Sequence, residues 1–136
     1  MRLLALVQVR GWSMYPLLRH GQWVVVESIT YRFRPPRRGE VVMAHLGGRE
    51  VLKMVAALPG ETVAVAEGRV WVEGQPLEWT GAQGPAPPGH PLPTGSYFLL
   101  SLAADVGVDS RQQGAVARRD LLGRACLVLW PPRLLP

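Results

Sequence analysis

The chain has 136 residues, 48% of them hydrophobic, which suffices for one domain with a buried core and is too short for two ordinary ones. Its 15 glycines and 13 prolines disfavour a helical bundle and suit short strands joined by turns. The net charge is +5, yet 14 of the 15 basic residues are arginine, so the single lysine, Lys53, is not explained by a general need for surface charge.

Val7 and Val9 alternate with Gln8 and Arg10, a strand pattern that runs into Gly11. Met14 to Leu18 contains Pro16, which can start a helical turn but cannot continue a strand interior. After the Gly21 turn, the valine-rich run Trp23 to Glu27 reads as a buried strand. Arg34, Arg37 and Arg38 with two intervening prolines form a solvated basic loop, and Arg118 with Arg119 a smaller one. Glu40 to His45 is a strand, Gly47-Gly48 a hairpin turn, and the strand that follows carries Lys53. Short strands then recur at Thr62 to Ala66 and Val70 to Glu73, the spacing of a barrel or sandwich. Gln83 to Pro93 is a Pro/Gly-rich surface loop without periodicity. Strands resume at Tyr97 to Leu102 and Ala125 to Trp130, with Trp71 and Trp130 expected to be buried. At most one or two helical turns are expected, near Met14 and Arg119.

No run approaches the ~18 to 20 apolar residues that cross a bilayer, and Leu3 to Val7 is too short for a secretory apolar region. The expectation is a chain without signal peptide or transmembrane segment, placed in the cytoplasm or peripherally at a membrane. The lone cysteine, Cys126, excludes an intrachain disulfide and reads as a buried, inert thiol. His20, His45 and His90 show no metal-ligand spacing, and neither a nucleophile elbow nor a phosphate-binding glycine motif is present. No metal and no cofactor is therefore expected.

The remaining chemistry pairs a serine with the lysine. In Glu50-Val51-Leu52-Lys53-Met54-Val55, alternation puts Lys53 on one strand face with Val51 and Val55. Desolvation on such a face disfavours the ammonium, and lowering its pKa by about three units costs on the order of 4 kcal/mol. A neutral amine can take a proton from a serine hydroxyl. The alternative is snorkelling, with the aliphatic stem over apolar surface and the ammonium in water. Ser13, in Gly11-Trp12-Ser13-Met14-Tyr15-Pro16, follows a strand directly, where a turn leaves its amide free to donate to an oxyanion. An ordinary turn serine is the other reading. The serines at 28, 96, 101 and 110 lack this setting.

Several segments together resemble signal peptidase I and its relatives, serine peptidases with a Ser/Lys dyad. Ser13-Met14-Tyr15-Pro16-Leu17-Leu18 resembles the family's Ser-Met-x-Pro-Thr-Leu box, and Gly21-Gln22-Trp23-Val24 its Gly-Asp-x-Val box. Arg38-Gly39-Glu40-Val41-Val42 is similar to Arg-Gly-Asp-Val-Val, and Lys53 through Leu58-Pro59-Gly60-Glu61 to the lysine box. Gly68 to Leu77 is similar to the strand pair that follows, Asp109-Ser110-Arg111 to the Asp-Ser-Arg box, and Gly123 to Pro132 to the family's ending. The boxes occur in family order across nearly the whole chain. The departures are Gln22 for an acidic residue, Met54 for arginine and Ser101-Leu102-Ala103 for Gly-Asp-Asn. In addition, Gly107 stands where members often place a serine that hydrogen-bonds the lysine, and Arg10 where some have a second oxyanion donor.

The resemblance implies a mostly β fold, a signal-peptidase-like barrel of short antiparallel strands spanning residues 1–136 as one catalytic domain. It implies Ser13 as nucleophile, Lys53 as general base, and Asp109 with Arg111 as a structural ion pair near the site. An extended precursor polypeptide would lie between two strands as a third, flanked by Val9, Arg10, Gly11, Met14, Val51 and Leu52, and be cut after small residues. A catalytically degenerate peptide-binding homologue is the second reading. A basic β-barrel module for nucleic acid is a third, disfavoured by the scattered charge. No nucleic-acid partner is expected, while Trp12, Met14, Tyr15, Leu17 and Leu18 are candidates for peripheral contact with a bilayer.

Overall fold

β-Branched and small apolar residues in short alternating runs, punctuated by glycine turns, give a chain of brief strands. The computed structural model describes residues 3–103 and 108–136. Its strands are β1 (Leu4–Gln8), β2 (Trp23–Glu27), β3 (Val41–Leu46), β4 (Arg49–Ala57), β5 (Thr62–Ala66) and β6 (Arg69–Val72). Then follow β7 (Gln75–Pro76), β8 (His90–Pro91), β9 (Ser96–Leu100), β10 (Val116–Ala117), β11 (Leu121–Val128) and β12 (Arg133–Leu134). The only α-helix among the described residues is α1 (Ser110–Gln113); 3-10 turns occupy Thr30–Arg32, Glu78–Thr80 and Arg118–Asp120.

The larger sheet runs β1-β2-β11-β3-β4-β9-β10 with β12 added to β11, and the smaller runs β7-β6-β5-β8, all pairs antiparallel. The mostly β expectation holds, but the sheets do not close into a true barrel. β1 pairs only with β2, and β4 gains its second neighbour, β9, only from Met54 onward. Among the described residues, two main-chain edges, Leu4–Gln8 and the first half of β4, are therefore left without a strand partner.

Two apolar clusters pack the faces of the larger sheet: one around Met14, Leu18, Val24, Val26, Val41 and Val128, the other around Val42, Val55, Tyr97, Leu99 and Leu121. A third joins the sheets through Ala57, Val70, Val72, Phe98 and Leu100. Gly123 is fixed by close approach: a Cβ there would lie 2.7 Å from the Glu27 carbonyl oxygen, so only glycine lets β11 reach β2.

Several expectations need correction. A helical turn missed by hydrophobic periodicity forms at Ser110–Gln113, because Asp109 and Gln112 make a reciprocal capping box. The segment around Met14 turns as expected, with Leu18 N–H reaching the Met14 carbonyl at 2.9 Å. Within the loop 83–93, His90–Pro91 pairs with β5. Trp71 is buried but Trp130 is 78% exposed, because β11 ends at Val128 and the chain turns outward through two prolines. The basic loop is not merely solvated: Arg34 pairs with Glu40 at 2.6 Å and Arg38 with Glu61. Cys126 is only partly buried, lying at the register shift between Ala125 and Leu127, where its thiol pKa is pushed up by burial. No helix of the described residues is long and apolar enough to cross a membrane.

Candidate active site

Ser13 stands just past β1, in a segment fixed almost entirely by main-chain bonds. Val9 and its neighbours at 21 and 22 exchange hydrogen bonds, Val9 N–H to the Gln22 carbonyl at 2.7 Å and Gly21 N–H to the Val9 carbonyl at 2.8 Å. Gly11 then turns with φ +83°, a conformation that costs an L-residue, and its amide donates to His20 Nδ1 at 2.7 Å. The Ser13 carbonyl accepts from the Leu102 and Ala103 amides at 2.8 and 2.9 Å, while among the described residues the Ser13 amide donates no main-chain hydrogen bond. The turn that follows buries Met14 and Leu18 in the core and leaves Trp12 and Tyr15 outside, edge to face. Met14 and Leu18 therefore cannot touch a bilayer as expected, whereas Trp12 and Tyr15 remain free to.

Lys53 is placed by strand register. It sits opposite Val42 in β4, on the face of Val51 and Val55, and is 3% exposed. The ammonium does not snorkel to solvent. Burial pushes the Lys53 pKa down from its ordinary value, and the positive charges of Arg111 and Arg49 push the same way against the opposing pull of Asp109.

The Lys53 amine donates to Ser101 Oγ at 2.8 Å. Ser101 is fully buried at the end of β9, and its amide donates to Asp109 Oδ2 at 2.9 Å. Asp109, also fully buried, pairs with Arg111 at 2.6 Å, and Arg111 Nη1 donates to the Gly68 carbonyl in the turn between β5 and β6 of the smaller sheet. Burial alone raises the Asp109 pKa, but hydrogen bonds from Arg111 and from the Ser101 amide outweigh it and hold the carboxyl below its usual range. A chain of contacts thus runs from the lysine to the second sheet.

Ser13 and Lys53 line one cleft of about 560 Å³, together with Val9, Arg10, Met14, Val51 and Leu52. Of the expected substrate-contacting residues, Gly11 alone is not part of its lining. The cleft's long walls are the two unpartnered strand edges, Ala5 to Arg10 on one side and Arg49 to Lys53 on the other. Such edges can accept an extended peptide as an added strand. Among the described residues no group of His, Cys, Asp and Glu could hold a metal ion. Gly107 lies outside the described residues.

Sequence reasoning missed Ser101. It was passed over because its neighbours show no turn or nucleophile motif, and its partner lies 48 residues away on another strand. The one available signal was a hydroxyl directly after the apolar run Tyr97 to Leu100, where a buried polar group needs a partner.

A family model described as signal peptidase, peptidase S26, matches residues 1–130. The chain is similar to signal peptidase I of Leptolyngbya laminosa, 36% identical over 134 residues that cover 88% of this chain and 65% of that protein. It is also similar to signal peptidase IB of Staphylococcus aureus, 25% identical over 145 residues that cover 90% of this chain and 76% of that one. The chain thus spans just under two thirds of the Leptolyngbya protein's length. A crystal structure of a signal peptidase I from Enterococcus faecalis shares the fold, with a TM-score of 0.50 at 22% identity, covering 65% of this chain and 95% of that one.

Proposed function

The chain belongs to the signal peptidase S26 family, and from that premise we propose that it is a serine endopeptidase that cleaves an extended precursor polypeptide, with Ser13 as nucleophile and Lys53 as general base. The observation that carries this reading is the cleft itself: Ser13 and Lys53 lie on its walls between two strand edges that lack partners.

The peptide enters as a strand, taking main-chain hydrogen bonds from both edges, with its N-terminal part along Ala5 to Arg10 and Arg49 to Leu52. Val9, Met14, Met43 and Leu52 give the cleft an apolar lining that suits uncharged side chains just before the scissile bond, and the family resemblance implies small ones. Neutral Lys53 takes the hydroxyl proton of Ser13 as Oγ attacks the scissile carbonyl carbon. The resulting oxyanion accepts from the Ser13 amide. Collapse breaks the C–N bond, and the leaving amine takes the proton from Lys53. A water molecule then gives a proton to Lys53 as it attacks the ester carbon, and collapse breaks the C–O bond while Lys53 returns that proton to Ser13 Oγ. Desolvation pushes the Lys53 pKa down and so favours the neutral amine this role needs.

Trp12 and Tyr15, with Leu4 and Leu6 exposed on β1, give this side of the molecule an apolar surface suited to peripheral contact with a bilayer carrying the precursor. The second reading, a homologue that binds extended peptides without cutting them, is favoured by one observation: the Lys53 amine bonds to Ser101 rather than to Ser13.

The test is incubation with peptides containing Ala-x-Ala sites, alongside Ser13→Ala and Lys53→Met. Cleavage after the small residue by the wild type, and a loss of about 1000-fold or more in each variant, is the expected result. Cleavage indifferent to both substitutions overturns the dyad, and binding without cleavage selects the second reading.

A further inference from the structure

We infer that Ser101 is the positioning residue of this site: its hydroxyl aims the Lys53 amine, and the segment it begins sets the distance between base and nucleophile. The inference rests on the Ser13/Lys53 reading above and adds a residue which that reading does not use.

Three observations carry it. First, Ser101 Oγ is the acceptor for Lys53 Nζ at 2.8 Å in a site where the lysine is 3% exposed and the serine fully buried. A lysine has four rotatable side-chain bonds, and an amine without a fixed partner would spend little time pointing at one hydroxyl. Second, Ser101 is itself held at both main-chain groups, its amide by Asp109 Oδ2 at 2.9 Å and its carbonyl by Trp79 Nε1 at 3.3 Å. Third, the next two residues hold the nucleophile: the amides of Leu102 and Ala103 both donate to the Ser13 carbonyl. Three consecutive residues therefore grip the base by a side chain and the nucleophile by the main chain. Ser101 is not an alternative nucleophile, because it is fully buried and does not line the cleft.

The geometry fixes the direction of the effects. An acceptor beside the amine favours its charged form, so removing the hydroxyl lowers the Lys53 pKa further while freeing the amine to misalign. Cleavage should then be slower at its plateau and begin at lower pH, a combination that general unfolding would not give. The charged groups facing Lys53 are Asp109, Arg111 and Arg49. Asp109 has its pKa held low, so a limb that moves belongs to the lysine.

The experiment compares the full chain with Ser101→Ala and with Ser101→Cys, whose thiol is somewhat larger than the hydroxyl and accepts hydrogen bonds weakly. Cleavage of an Ala-x-Ala peptide is followed across pH, and the amine is titrated by NMR through the methylene next to Nζ, which is unambiguous with one lysine. Expected are a kcat lower by roughly 10- to 100-fold, KM within about twofold, and a rising limb moved to lower pH, with the cysteine variant between alanine and wild type. Unchanged kcat and limb overturn the inference, as does lost activity with an unmoved lysine titration. If the alanine variant does not fold, the cysteine variant decides by the same readouts. A wild type that cleaves nothing would sink the peptidase reading alone. The lysine titration would still judge Ser101, a downward move supporting it and no move overturning it.

Discussion

The two walls of the cleft are built by opposite means. The Ser13 wall is a surface turn: its flanking aromatics Trp12 and Tyr15 are exposed, and its shape comes from main-chain hydrogen bonds and a positive-φ glycine. The Lys53 wall is interior: the lysine, Ser101 and Asp109 are all buried, and side chains do the positioning. Under the proposed dyad, the difference follows from what each group would have to do. A nucleophile has to be reached by a polypeptide, so it sits at the rim and is held by bonds that water does not easily compete away. A lysine base works only when its proton is costly to keep, so it has to be dry, and a dry amine needs a polar partner.

The contrast can be broken most severely on the inner wall. Asp109→Ala leaves Arg111 without its buried partner and the Ser101 amide without its acceptor, and a loss of about 3–5 kcal/mol is expected by denaturant unfolding. Because the folded pKa of Asp109 lies below its ordinary 3.8, its contribution is fully present above that value and fades as the pH falls through the folded pKa. The gap between wild type and variant should therefore narrow only in acid.

Lys53→Met works in the opposite direction on the same wall. Replacing a buried amine by an apolar chain of similar size should raise stability by about 1–3 kcal/mol at pH 7 while cleavage is lost. Here the folded pKa lies below the unfolded one, so the unfolded state holds more protons between the two values. Wild-type stability rises with pH across that window, and the advantage of the methionine variant should shrink as pH approaches 10.5, the ordinary value for lysine. Thermal melts at several pH values check both sign and trend.

On the outer wall the effects are smaller. Gly11→Ala meets no atom within 4 Å, so its cost is backbone strain alone, about 1 kcal/mol, accompanied by slower cleavage as the Ser13 turn shifts. Trp12→Ala should change stability by less than about 0.5 kcal/mol, since the ring is half exposed, yet weaken binding to lipid vesicles in a flotation assay. Equal vesicle binding by wild type and variant would remove Trp12 from the membrane-facing surface.

The same contrast governs what could be read before any fold was known. Ser13 was legible because its setting is local: glycine, a turn and a strand end within six residues. Lys53 was legible through strand alternation and through being the only lysine. The turn at Ser110–Gln113 was missed because its signal is a polar capping pair, not an apolar period. Trp130 was misplaced because a hydrophobic run does not reveal where its strand loses its neighbours.

By itself the sequence determined the strand-and-turn character, the two chemically distinctive side chains and the apolar face that dries the lysine. Those are properties of residues within a few positions of one another, where chirality, proline and alternation leave few choices. Only the tertiary structure decided that Ser101 meets Lys53 across 48 residues, that residues 102 and 103 bind the turn of Ser13, and that two strand edges stay open. These depend on strand order and on which edges remain unpaired, and main-chain hydrogen bonding, the same for every residue, writes almost none of that order into side-chain type.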